Sequence, residues 1–242
     1  MRTAGLAFVI VVVVVALAGC GDDGATAIDA AAIDAGSDAA VDGAADAAPD
    51  APTCPTTLLT GGSDLAAQGW TVIMQGPATV SYGADHVRLQ TTTTAGANVG
   101  GQLLIRRADA VPIGQPFAIE IVMQVEAVDP HNPLDAGAAI LAVFTPPFGN
   151  AFERGQMIYL DAARIGFADD SQAMALPVTD GAYHTYRLAV DAAGAASLAV
   201  DGVLRLARAG FVVDGAITIG DQTNDPRVDG TVRIRSVTRM CP

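Results

Sequence analysis

From Phe117 to Ala127 every second residue is apolar: Phe117, Ile119, Ile121, Met123, Val125 and Ala127. Between them stand Ala118, Glu120, Val122, Gln124 and Glu126. A period of two over such a run specifies a long β-strand with one face on a core, because successive side chains of a strand point to opposite faces. Tyr186, Leu188 and Val190 alternate in the same way with Thr185, Arg187 and Ala189. Asp201-Gly202 then separates "SLAV" from "VLRL". Asp-Gly between alternating apolar residues signals a tight hairpin, since both positions of a type I′ turn need positive φ. Shorter strands are expected near 70–75, 78–82, 86–91, 101–107, 138–144, 156–160, 163–168 and 216–220. In the last one, 230–239, Val232 and Ile234 share a face and Val237 falls out of step, which a bulge near Arg235-Ser236 would explain. No stretch carries a helical period of useful length. Many short strands separated by turn residues predict an all-β fold, an antiparallel β-sandwich or jelly roll.

The amino-terminal part cannot join such a core. Arg2 is followed by a nearly unbroken apolar run from Leu6 to Leu17. That is short for a bilayer-spanning helix, which needs ~20 apolar residues, and it has the plan of a secretory signal peptide. Its end, Leu17-Ala18-Gly19-Cys20, resembles the lipobox of bacterial lipoproteins. The resemblance implies a leader over 1–19, cleavage before Cys20, and lipid on the Cys20 thiol and on its new amino terminus. Several acyl chains give stable anchoring where one holds marginally. Gly21 rather than Asp follows the cysteine, which by the enteric sorting pattern points to the outer membrane of the cell envelope. Residues 21–53 are mostly Ala, Asp and Gly, and Asp34, Asp38, Asp42, Asp46 and Asp50 recur every fourth position. Like charges at that spacing weaken a helix, and Gly36, Gly43, Pro49 and Pro52 favour coil. With little apolar surface to bury, the segment reads as a disordered acidic tether with a reach of roughly 30 Å. Calcium binding by the Asp ladder is the alternative to a solvated spacer.

Residues 54–242 have the length of one domain. All thirteen basic residues of the chain are arginine, and its formal net charge is −13. Eight of the 26 acids lie in the tether, so the domain is only mildly acidic and has no basic patch. Nucleic acid is therefore excluded as a partner, and oligomeric state is left open. Besides Cys20 the chain has Cys54 and Cys241, one at each end of the domain. In an exported protein such a pair is expected to form a disulfide.

Three stretches carry a further resemblance. "YHTYRLAVDAAGAASLAVDGVLRL" looks like the core hairpins of concanavalin A-like and laminin G-like domains. "ITIGDQTNDPRVDGTVRIRSVTRM" is similar to their closing unit, and "QGWTVIMQGPATVSYGADHVRLQT" resembles their opening meander. The resemblance implies a sandwich whose first and last strands are neighbours, which would bring Cys54 and Cys241 together. It also implies a packing role for His184 and a buried Trp70. The family includes lectins, glucanases, adhesion modules and structural proteins, so fold does not decide function.

Catalytic patterns are missing. The glucanase branch of that family carries E-x-D-x-x-E on one strand, placing two carboxylates about a glycosidic bond. Here "EIVMQVE" lacks the Asp, and Glu120 and Glu126 fall on a polar strand face. There is no G-x-S-x-G, no H-E-x-x-H and no lysine for a P-loop. The reading is therefore not an enzyme, with no cofactor. For metal, Asp221, Thr223, Asp225 and Asp229 in "DQTNDPRVDG" resemble an EF-hand loop, but Pro226 and Val232 stand where it needs Gly and Glu. Asp221, Asn224 and Asp225 remain low-grade candidates for calcium (Ca2+), against the simpler reading of a polar turn. Asp169-Asp170 is weaker still. His86, His131 and His184 lack ligand spacing. For stacking on a sugar only Tyr82, Tyr159, Tyr183 and the Phe144–Phe148 loop remain, and that loop reads as a cap. Three functions follow: a lipid-anchored envelope protein displaying a glycan- or protein-binding module, a structural envelope component, or a divergent glycoside hydrolase. A sheet-face groove lined with aromatics and carboxylates would favour a sugar site, and a filled face the structural role.

Overall fold

The computed structural model describes residues 54–92 and 100–241. The chain divides into two units, Met1–Ala47 and Ala48–Pro242, and every described residue belongs to the second. Cys20, the leader and the tether lie outside the described residues.

Besides one 3-10 turn, Ala66–Gln68, the described residues form fifteen strands and one α-helical turn. They are β1 (Thr56–Thr60), β2 (Thr71–Gln75), β3 (Thr79–Tyr82), β4 (Val87–Gln90), β5 (Gln102–Arg107), β6 (Phe117–Val128), β7 (Ala139–Leu141), α1 (Ala151–Gly155), β8 (Ile158–Leu160), β9 (Arg164–Phe167), β10 (Ala173–Ala175), β11 (His184–Val190), β12 (Ala196–Val200), β13 (Val203–Arg208), β14 (Ile217–Asp221) and β15 (Gly230–Met240). All pairs between these strands are antiparallel. An eight-stranded sheet runs β13-β12-β11-β6-β15-β4-β3, with β1 on the far half of β15. A seven-stranded sheet runs β10-β9-β8-β7-β14-β5-β2.

The alternation explains the packing. Ile119, Ile121, Met123 and Val125 of β6 are fully buried, as are Tyr186 of β11 and Ile234 and Val237 of β15. They face Leu103 and Ile105 of β5, Ile140, Ile158, Ile165 and Ile219 of the other sheet in one apolar cluster. The slip in β15 is present: its register against β6 shifts between Ile234 and Ser236. Asp201 and Gly202 both have positive φ, 51° and 78°, as the hairpin turn demands. Trp70 is buried and donates from its ring to the Leu58 carbonyl at 2.7 Å.

Four elements depart from the sequence expectation, the 3-10 turn at Ala66–Gln68 among them. β1 and β10 were not foreseen, because "TTLLT" and "AMA" are too short to show a period. Nor was α1, a single turn set by a capping box: Asn150 accepts from the Glu153 N–H at 3.0 Å and Glu153 accepts from the Asn150 N–H at 3.2 Å. One turn leaves no periodic trace.

The central strand β15 is tied at both ends. Past its carboxyl end Cys241 is disulfide-bonded to Cys54, with Cα atoms 5.5 Å apart. At its amino end Gly230 donates to the Thr91 hydroxyl at 2.9 Å, and that hydroxyl donates to Asp221 at the end of β14 in the other sheet. Among the described residues no helix is long and apolar enough to cross a membrane.

Candidate functional site: a covered sheet face and a polar loop end

Each sheet has an outer face, and the two differ. On the eight-stranded sheet it is a lattice of ion pairs. Glu126 binds Arg88 at 2.5 Å and also Arg233, Glu120 meets Arg187 at 3.3 Å, and Arg235 meets Asp85 at 2.8 Å while lying 3.9 Å over the Tyr183 ring. The two glutamates considered for hydrolysis are thus held by arginines on an open face. A shallow recess of 410 Å³ lies farther along, floored by Ala118, Ala189, Ser197 and Ala207.

The outer face of the seven-stranded sheet is covered. Leu104, Ala139, Leu141 and Tyr159 point outward from β5, β7 and β8, yet each is 0–1% exposed. Two segments lie over them. One is the 142–157 strap, the β7–β8 connection, which contributes Phe144 and Met157 to this second apolar cluster. The other is the 129–136 loop, which brings Ala136. Its His131 stacks on Tyr159 with ring centroids 3.7 Å apart and planes 12° apart. His131 sits between two carboxylates, Asp161 at 2.9 Å on one ring nitrogen and Asp170 at 3.2 Å on the other. Burial pushes the Tyr159 hydroxyl above its usual pKa. The Phe144–Phe148 loop is therefore a cap, and His131 is structural.

The strap is fixed to the sheet by amides. Gln102 donates to the Pro147 carbonyl and, at 2.9 Å, to that of Gln222, and Gln222 donates to the Phe148 carbonyl at 2.8 Å. Nothing in the sequence marks these glutamines, because their role depends on a loop distant in the chain. Burial raises the Glu153 carboxyl, but donors from Thr145 and Asn150 outweigh it and hold its pKa below the usual range.

At the amino end of β15 the loops 129–136 and 221–229 meet. Asp221 is buried, its oxygens taken by the Thr91 hydroxyl and the Thr223 N–H, and burial drives its pKa well up. Asp229 is 4% exposed, and burial followed by the charge of Asp129 raises its pKa to about 6. Asp225 is the opposite. Arg227 grips it at 2.8 Å and lowers its pKa to about 2, and Asn132 donates to it at 2.9 Å. The three calcium candidates therefore differ in role. Asp221 faces inward to Thr91, Asp225 is occupied by Arg227 and Asn132, and Asn224 is exposed. Among the described residues no group of three or more acids, histidines or cysteines is placed to hold a metal ion. Asp169 pairs instead with Arg208. His184 is not a packed core residue. It is clamped by Asp201 at 2.7 Å and Asp180 at 3.1 Å. Burial disfavours its charge, but the two carboxylates win and its pKa is raised. His86 rests against Asp85 at 2.9 Å.

Solved structures share this architecture. A conserved carbohydrate esterase from Shiga toxin-encoding bacteriophage phi24B superposes with a TM-score of 0.50 at 16% identity, over 76% of this chain and 98% of that one. The exoplasmic/lumenal domain of VIP36 in its Ca2+-bound form gives 0.50 at 12% identity, over 76% and 89%. The fold is a lectin-like β-sandwich. The metal-free carbohydrate recognition domain of Emp46p is also similar, at 0.48 and 12% identity over 76% and 95%. No protein-family model and no curated protein matches the sequence.

Proposed function

We propose that the chain is a lipid-anchored envelope protein, held by Cys20 in the outer membrane, that displays a lectin-like sandwich as a binding module for a glycan. The fold is compatible with the class, since a carbohydrate esterase shares it. The outer face of the seven-stranded sheet is filled and, among the described residues, offers no groove, so the contact is assigned to the loop end, whose polar side chains are the observation that carries the reading. There Asp225 is ionised at all physiological pH, beside the Asn132 amide and the largely exposed Arg227 guanidinium. Such alternating donors and acceptors on an ordered loop suit sugar hydroxyls. Among the described residues Glu126 is paired with Arg88 and Glu120 with Arg187, and the proposed role is binding.

The chain from residue 21, applied to a glycan array, tests this. Binding that falls at least tenfold in the Arg227→Ala variant supports the loop end as the contact. An array without signal would instead favour a structural envelope protein, the reading to which the same filled face also lends weight. Mass spectrometry of the mature chain tests the anchor, with acylated Cys20 as its amino terminus the expected result.

A further inference from the structure

The 142–157 strap leaves and re-enters the sheet on adjacent strands, since Ala139 pairs with Tyr159 and Ile140 with Ile158. Its two ends are therefore neighbours, as in a flap on one hinge. Between them it bonds to itself. Gly149 donates to the Thr145 carbonyl at 2.8 Å, Glu153 accepts from the Thr145 N–H and hydroxyl at 2.9 and 2.8 Å, and the capping box closes on Asn150. These bonds survive if the strap moves as one body.

What holds it down is less consistent. Phe144 and Met157 supply apolar contact, and Gln102 and Gln222 supply amide donors. Closure also buries the Oε1 atoms of both glutamines, which have no partner among the described residues. Each of these groups is at most 1% exposed as a residue. Leaving a buried polar atom unbonded opposes closure, because water would bond it in the open form. Opening must also break the Arg208 bond to the Gly155 carbonyl at 2.9 Å, the Val212 N–H bond to the Gln156 side chain at 2.7 Å, the Phe144 N–H bond to Asp214 at 3.4 Å and the Arg154–Asp135 contact at 3.4 Å. Each is a single contact to a separate neighbour of the strap. The sandwich core on the other face of the same sheet needs none of these to change.

We propose that the strap is a hinged cover that opens as a unit while the sandwich stays folded, uncovering the side-chain amides of Gln102 and Gln222 beside Leu104 and Leu141 on the seven-stranded sheet. The device is independent of the glycan reading, which places its contact at the loop end. Local opening of this kind occurs at a lower free energy than global unfolding and exposes only the segment concerned.

Adjacent alanines provide the test. Ala139 belongs to the cluster under the strap and Ala138 to the inner core, at 1% and 0% exposure. Ala139→Cys and Ala138→Cys are made singly in the full chain and exposed to a thiol reagent in native buffer without reductant. Labelling at the introduced position is read by peptide mass spectrometry. The thiol at 139 is expected to react at least tenfold faster than that at 138, at a rate insensitive to low urea. A ratio below ten overturns the proposal, since both sites would then open only with the whole domain. If Ala138→Cys does not fold, Ala196→Cys on β12, also in the inner core, serves as the reference under the same criterion.

Discussion

On its inner face the seven-stranded sheet presents Leu103, Ile105, Ile140, Ile158 and Ile219 to a partner sheet made of the same kind of residue. On its outer face it presents Leu104, Leu141 and Tyr159, mixed with Gln102 and Thr218, to a loop. Exposure does not tell the two apart, for both are dry. They differ in what closes them. The inner face is closed by strands whose own hydrogen bonds are complete without it, so every contact adds apolar burial. The outer face is closed by a strap that takes the amide donors of Gln102 and Gln222 but leaves their Oε1 atoms buried and unbonded. Equal burial thus coexists with unequal stability, and a covered sheet face need not be a permanent part of the core.

The largest expected effect separates the faces by weakening one level of structure only. Replacing Cys54 and Cys241 by serine removes a link spanning 187 residues in sequence. It is expected to lower global stability by ~2–5 kcal/mol, seen as a lower urea midpoint with a steeper slope, because the unfolded chain without the crosslink exposes more surface. Exchange of backbone amides in the strap should remain as it was, because the strap opens without the sandwich.

A smaller effect follows from the end of the inner row. Asp221 and Asp229 have folded pKa values above the ordinary carboxylate value, about 6 for Asp229. The folded state therefore binds more protons than the unfolded state between about pH 4 and pH 6, and stability falls as pH rises through that window. Asp229 alone should contribute a loss of ~1–3 kcal/mol between pH 4 and pH 7. Urea melts across this range should show the decline, and Asp229→Asn should reduce it. His184 acts in the same direction, since its raised pKa gives stability that is present at low pH and lost as pH rises past it. The slope left in the Asp229→Asn variant should shrink when His184→Gln is added, leaving the part due to Asp221. A stability that rises from pH 4 to pH 7 would contradict both assignments.

The smallest effect probes the outer face under the 129–136 loop. Tyr159→Phe removes a buried hydroxyl with no partner and keeps the ring that stacks on His131. Stability should change by less than ~1 kcal/mol, toward the stable side, in thermal melts.

The inner face was legible in the sequence because alternation is a local signal. Ile119, Ile121 and Met123 announce their own burial, and so does the slip before Val237. Asp201-Gly202 was legible because a tight turn needs two specific backbone conformations. The outer face was not. Leu104 lies between Leu103 and Ile105 in a continuous apolar run, which shows burial on both sides without naming the cover. Gln102 and Gln222 read as ordinary polar residues, since their partners are carbonyls of a loop tens of residues away. The "FTPPFGNAF" loop showed its aromatics but not the sheet beneath it. Cys54 and Cys241 were legible as a pair through their count and their positions at the two ends.

The difference between the faces is tested most directly at two neighbouring residues of β7. Ile140 faces the inner core and Leu141 the strap, and both are essentially unexposed. Ile140→Ala and Leu141→Ala are compared by urea unfolding. Truncation of Ile140 should cost the usual ~2–5 kcal/mol for a large-to-small change in a close-packed core. Truncation of Leu141 should cost less than half as much, because its loss is limited to the free energy that holds the strap closed. Equal costs would mean that the strap and the sandwich are one cooperative unit.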